Sequence, residues 1–96
     1  MEIGLLKRTE VDTELDMFSP SQLRAARGLL AWSRERLAEA SGVSVIAIKT
    51  FENGNSDPRM STMTALRSAL LKAGVIFTDA TDERGPGVAF RKPTAR

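Results

Sequence analysis

Residues 33–54, SRERLAEASGVSVIAIKTFENG, restrict the fold of this chain more than any other stretch. Ser33 suits a helix N-cap, because its hydroxyl can accept a hydrogen bond from an orphan amide of the first turn. Leu37, Ala38 and Ala40 supply a small apolar face, and Gly42 tolerates the left-handed stop that ends the helix. Ser44 then caps a second helix, with Val43 placed to staple onto Ile48. Helical spacing divides this second helix into two faces. Ala47, Ile48 and Phe51 point one way, while Val45, Ile46, Lys49, Thr50 and Asn53 fall on the other. Asn53-Gly54 is a turn signal. Two short helices joined by a tight turn result, and the second keeps one face free.

This pattern resembles the helix-turn-helix of the Cro and phage-repressor (XRE) family of DNA-binding regulators. Leu37-Ala38, Gly42-Val43-Ser44, Ile48 and Phe51-Glu52-Asn53-Gly54 carry the resemblance, which extends over about residues 21–74. It implies a mainly α, lambda-repressor-like domain of four to five helices. The physics fits that use, since an α-helix fits the major groove of B-DNA while the preceding helix crosses the backbone. The plainer reading is a helical hairpin in an unrelated bundle. Two exposed β-branched residues on the free face weigh against it.

The 96 residues make one small domain with a modest core. No apolar run approaches the ~18 residues of a membrane span, and no secretory signal pattern opens the chain, so a cytoplasmic protein is expected. There is no cysteine, histidine or tyrosine. Disulfides and thiolate chemistry are thereby excluded, and the commonest general base and nitrogen metal ligand are missing. No Gly-rich phosphate loop, metal-ligand cluster or nucleophile with a partner base is visible, and Arg84-Gly85-Pro86-Gly87 is turn chemistry. Neither an enzyme nor a cofactor is expected. The net charge of +2 hides an asymmetry: residues 1–20 hold two basic against five acidic residues, a net −3, and residues 21–96 hold twelve against seven, a net +5. A moderately basic body is a weak sign of a nucleic-acid binder.

Residues 1–17 lack a sustained period and form an expected flexible arm, or one that wraps onto a partner subunit. From residue 18 the signals sharpen. Ser19 caps, Pro20 sits at the first helical position, Gln22 completes a capping box and Phe18 can staple onto Leu23. This helix should run to about residue 31, with Leu23, Ala26 and Leu30 at core spacing. Arg24 and Arg27 lie beside that stripe and are better explained as solvated charge than as phosphate ligands. Trp32 belongs to the core rather than to a stacking platform. A loop over residues 55–59 precedes a helix expected at 61–73, with Met63, Leu66, Leu70 and Ala73 on one face and Gly74 at its end. Met60 and Met63 suit core filling.

The remaining segment, 75–96, changes period. Residues 75–78 and 88–91 each suit a short strand, and the polar connection between them makes an antiparallel hairpin. A lone hairpin is marginal in water and must pack on something. It either covers the helical core or pairs with the same strand of a second subunit. The second is preferred, with Val75, Ile76, Phe77, Val88 and Phe90 as the dimerisation residues, because strand edges are pairing templates. The expected organisation is therefore an arm (1–17), a helix-turn-helix domain (18–74) and a C-terminal β-hairpin (75–96).

The resemblance assigns base reading to Val45, Ile46, Lys49 and Thr50. Val45 and Ile46 can make only apolar contacts, so thymine methyl groups are their natural partners. Thr50 can donate, accept or present its methyl, and Lys49 can reach a guanine edge or a phosphate. Relatives often carry Gln, Asn, Arg or Ser here, so the apolar pair is a departure that suggests a share of shape readout. Phosphate contacts are assigned to Ser33, Arg34, Ser44, Asn53 and Arg59 at helix ends and flanks. Glu52 is better explained as a structural partner of a first-helix arginine. The expected function is a sequence-specific, homodimeric transcriptional repressor on an inverted-repeat DNA operator. An antitoxin that also binds a second protein, and an adaptor that has lost DNA binding, are the alternatives.

Overall fold

The computed structural model describes residues 18–55 and 57–91. The expectations for the arm, for Ser56 and for residues 92–96 lie outside this set. Among these residues four helices, α1 (Pro20–Leu30), α2 (Arg34–Ser41), α3 (Val45–Glu52) and α4 (Met60–Lys72), precede two strands, β1 (Val75–Thr78) and β2 (Gly87–Phe90). The fold is mainly α with a C-terminal antiparallel hairpin, whose register pairs Val75 with Phe90 and Thr78 with Gly87.

Local chemistry sets each helix start. The α1 capping box is complete: the Gln22 amide donates to Ser19 Oγ at 3.1 Å and the Ser19 amide to Gln22 Oε1 at 2.9 Å. Ser33 accepts from the Arg36 amide and Ser44 from the Ala47 amide, so both motif helices have their caps. Gly42 stops α2 at φ 81°, as its position requires. The end of α1 is less usual. Ala31 takes a left-handed φ of 56°, while the Trp32 and Ala31 amides return to Arg27 O and Gly28 O in a Schellman arrangement. A non-glycine residue there costs about 1 kcal/mol, which the double hydrogen bond offsets.

Leu23, Leu37, Ile48, Leu66, Leu70 and Val75 are fully buried and draw all four helices and β1 into one core. Trp32 packs on this core as a half-buried residue, as expected. Three apolar residues sit differently from expectation. Ala40 is exposed, and Ala73 is half-buried just beyond the end of α4. Met60, expected as core filling, is instead 52% exposed at the first residue of α4, which begins one residue earlier than expected. Met63 is buried, and Ala69 fills the core position that the spacing analysis passed over.

The hairpin packs on the helical core of its own chain, one of the two sequence expectations. Phe77 stacks on Phe18 with ring centroids 4.5 Å apart, and Phe18 meets Phe51 edge-on at 5.8 Å. Gln22 Nε2 donates to Gly87 O at 2.9 Å, so the capping residue of α1 also pins the far strand. The Arg91 amide donates to Gly74 O and its guanidinium to Leu71 O, tying the strand end to α4. Val75 is wholly spent in this core and Phe77 and Val88 pack against it. Of the five residues expected to dimerise, Phe90 alone is mainly exposed, at 55%.

Candidate nucleic-acid interface

The two faces of α3 differ in chemistry and in freedom. Ile48, Phe51 and Glu52 are buried, so this side of the helix faces the body of the domain. An acid at such a position requires compensation. The Glu52 carboxylate receives it from two arginines on two other helices, and a third arginine takes the residue's carbonyl. Arg27 donates from Nε to Oε2 at 2.7 Å and from Nη2 to Oε1 at 2.8 Å, a bidentate pair. Arg34 donates from Nε to Oε1 at 2.9 Å. Arg24 donates through Nη1 to the Glu52 carbonyl, one of the orphan acceptors at the end of α3, and through Nη2 to Ser21 Oγ.

Burial pushes the Glu52 carboxyl up, but the hydrogen bonds and charges of Arg27 and Arg34 together outweigh it and hold the group below its ordinary value. The Arg27 guanidinium is raised by its hydrogen bond to the same carboxylate, against the opposing effect of burial. Glu52 therefore remains ionised, and α3 is fixed to α1 and to the start of α2. This corrects the expectation of solvated charge at Arg27, while Arg24 stays exposed as expected and adds only its bond to the Glu52 carbonyl. It bears out the pairing of Glu52 with a first-helix arginine. The available signal was Glu52 itself, four residues after Ile48 and hence on the apolar face of its helix. Which cations would answer it, 25 and 18 residues away in sequence, is a matter of tertiary packing.

On the opposite side, Ile46 is 77% exposed and Lys49 is exposed beside it. Val45 and Thr50 are half-buried at the margins. The Thr50 hydroxyl donates to Ile46 O at 2.8 Å, so its proton is already used within the helix. The four expected base-reading residues thus share one outward surface. Ser33 and Ser44 sit at the starts of α2 and α3, each hydroxyl engaged in its cap. Arg34 follows Ser33 with its side chain 32% exposed and its Nε on Glu52. Asn53 and Arg59 are exposed, Asn53 capping the end of α3 and Arg59 preceding α4 without a side-chain cap bond. Arg36 is occupied elsewhere, with its guanidinium 4.6 Å from the centre of the Trp32 ring. No group of three or more metal-ligating residues occurs among the described residues.

A capped helix held rigidly from behind, with a projecting face of side chains and a second helix capped beside it, defines a helix-turn-helix DNA-binding domain. The chain belongs to the helix-turn-helix family HTH_3, of the XRE/Cro/C1 type, which matches residues 23–71, about half of the sequence. That family is non-enzymatic, and membership implies DNA binding and a role in transcriptional regulation. A comparison with curated proteins finds no match to the chain. Among the described residues, no helix is long and apolar enough to cross a membrane.

Proposed function

We propose that this protein is a sequence-specific transcriptional repressor that acts as a homodimer on an inverted-repeat operator. Each subunit places α3 in a major groove, and occupation of a promoter blocks transcription. The observation that carries the proposal is the division of α3 into a face locked by the core and Glu52 and a face formed by Val45, Ile46, Lys49 and Thr50. Ser33, Arg34 and Ser44 hold phosphates at the starts of α2 and α3, while Asn53 and Arg59 hold the flanking backbone. Among the described residues the terminal nitrogens of Arg34 have no hydrogen-bond partner, which leaves them available to a phosphate while its Nε stays on Glu52. The dimer forms through the hairpin, where Phe90 is exposed and, among the described residues, each strand is paired along one edge only. Such a regulator would work in the cytoplasm and use no cofactor.

The exposed Ile46 also favours a second reading, an adaptor whose helix face binds protein instead of DNA. Lys49→Ala combined with Thr50→Ala separates the two. Both residues lie on the outward face, so thermal stability should change little. A repressor loses operator affinity by tenfold or more and its promoter is derepressed. An adaptor shows no DNA phenotype.

A further inference from the structure

The outward face of α3 is almost without hydrogen-bonding capacity of its own. Val45 and Ile46 offer only hydrocarbon, and Ile46 projects furthest, at 77% exposure. Thr50 lies one turn beyond Ile46 and would ordinarily supply a donor. Its hydroxyl proton is committed to Ile46 O, leaving a methyl group and an accepting oxygen. Lys49 is the one free donor among the four side chains, and its ammonium is a point charge without the planar fork that reads a base pair in two places. In the major groove, the base-edge group that matches a hydrocarbon surface is the C5-methyl of thymine.

We infer that α3 selects its site by thymine C5-methyl groups packed against Ile46, Val45 and the Thr50 methyl, with Lys49 adding one polar contact. The inference rests on the DNA-binding reading and goes beyond it, because it names the chemical group that is recognised. Operator positions facing Ile46 should then be thymines. Uracil, which keeps every hydrogen-bonding group of thymine and lacks only the methyl, should be a poor substitute.

The test begins with selection of duplexes from a randomised library by the full chain. The enriched duplex is remade with deoxyuridine at each thymine in turn, and affinities are measured by fluorescence anisotropy. Loss of one buried methyl should weaken binding about fourfold, and two together more than tenfold. In the Ile46→Ala variant the same uracil substitutions should cost less than twofold. In Lys49→Ala, binding should weaken overall while the uracil penalty persists. An enriched site that tolerates uracil at every position overturns the inference and leaves the repressor intact. A uracil penalty unchanged in Ile46→Ala and Val45→Ala also overturns it, because the methyl would then act through DNA shape. Failure to enrich any sequence overturns this inference together with the DNA-binding reading beneath it.

Discussion

The two faces of α3 spend their chemistry in opposite ways. Inward, one carboxylate is engaged by Arg27 and Arg34, and the helix's last carbonyl is taken up by Arg24. Outward, four side chains make a single hydrogen bond among the described residues, and that bond runs back to their own helix. A helix of eight residues has little stability alone. Its orientation therefore comes from the side that faces the protein, and the opposite side is free to be chosen for a ligand. The contrast teaches where precision resides: polar, charged and redundant contacts lie behind the helix, while the surface proposed to meet DNA is plain.

The contrast can be broken from behind. Glu52→Gln keeps the shape but leaves two arginines facing a neutral amide in a buried place. We expect a loss of about 3 kcal/mol of stability, the lower end for breaking a buried pair, since Arg34 retains access to water. Urea denaturation would measure it, and DNA affinity should fall as the tilt of α3 loosens.

Acid should act on the same carboxylate more gradually. The folded protein holds Glu52 below its ordinary value of 4.5, so the stability it contributes is present above that pH. This part of the stability is lost as pH falls through the depressed folded value. Melting temperatures of the native protein should decline more steeply below about pH 4.5 than those of Glu52→Gln.

Smaller effects sharpen the comparison at the margin and on the outward face. Ser44→Ala removes the cap of α3 and should cost about 1 kcal/mol, with some loss of DNA affinity because the frayed turn carries Val45 and Ile46. Ile46→Ala should change stability by less than about 0.5 kcal/mol. Its measurable effect should fall on operator binding alone. A large loss of stability in Ile46→Ala would show that the outward face has a structural duty and would dissolve the contrast.

The sequence made the helix-turn-helix legible because its signals are local. Ser19, Ser33 and Ser44 each bond to an amide three residues on, and Gly42 meets a backbone requirement set by its immediate neighbours. The same locality explains the outward face, whose members follow from helical periodicity. What was hidden depends on distant packing. Arg27 looks like surface charge until α3 is brought against α1 and Glu52 meets it. Gln22 looks like a cap and nothing more until Gly87, 65 residues later, comes within reach of its amide. The hairpin was recognisable as two strands, but its seat on Phe18 could not be derived from strand periodicity, which defines faces and leaves their partners open. Met60 shows that an apolar residue at a helix end need not reach the core, since it is exposed while Met63, one turn on, is buried.

The most direct test of the account is an anisotropy titration of the full chain on a library-selected duplex and on a scrambled one, each at two salt concentrations. A preference of about 10³-fold or more for the selected duplex, with affinity falling as salt rises, is the predicted result. Equal binding to both duplexes, or no binding to either at low salt, would contradict the claim that the free face of α3 recognises a DNA sequence.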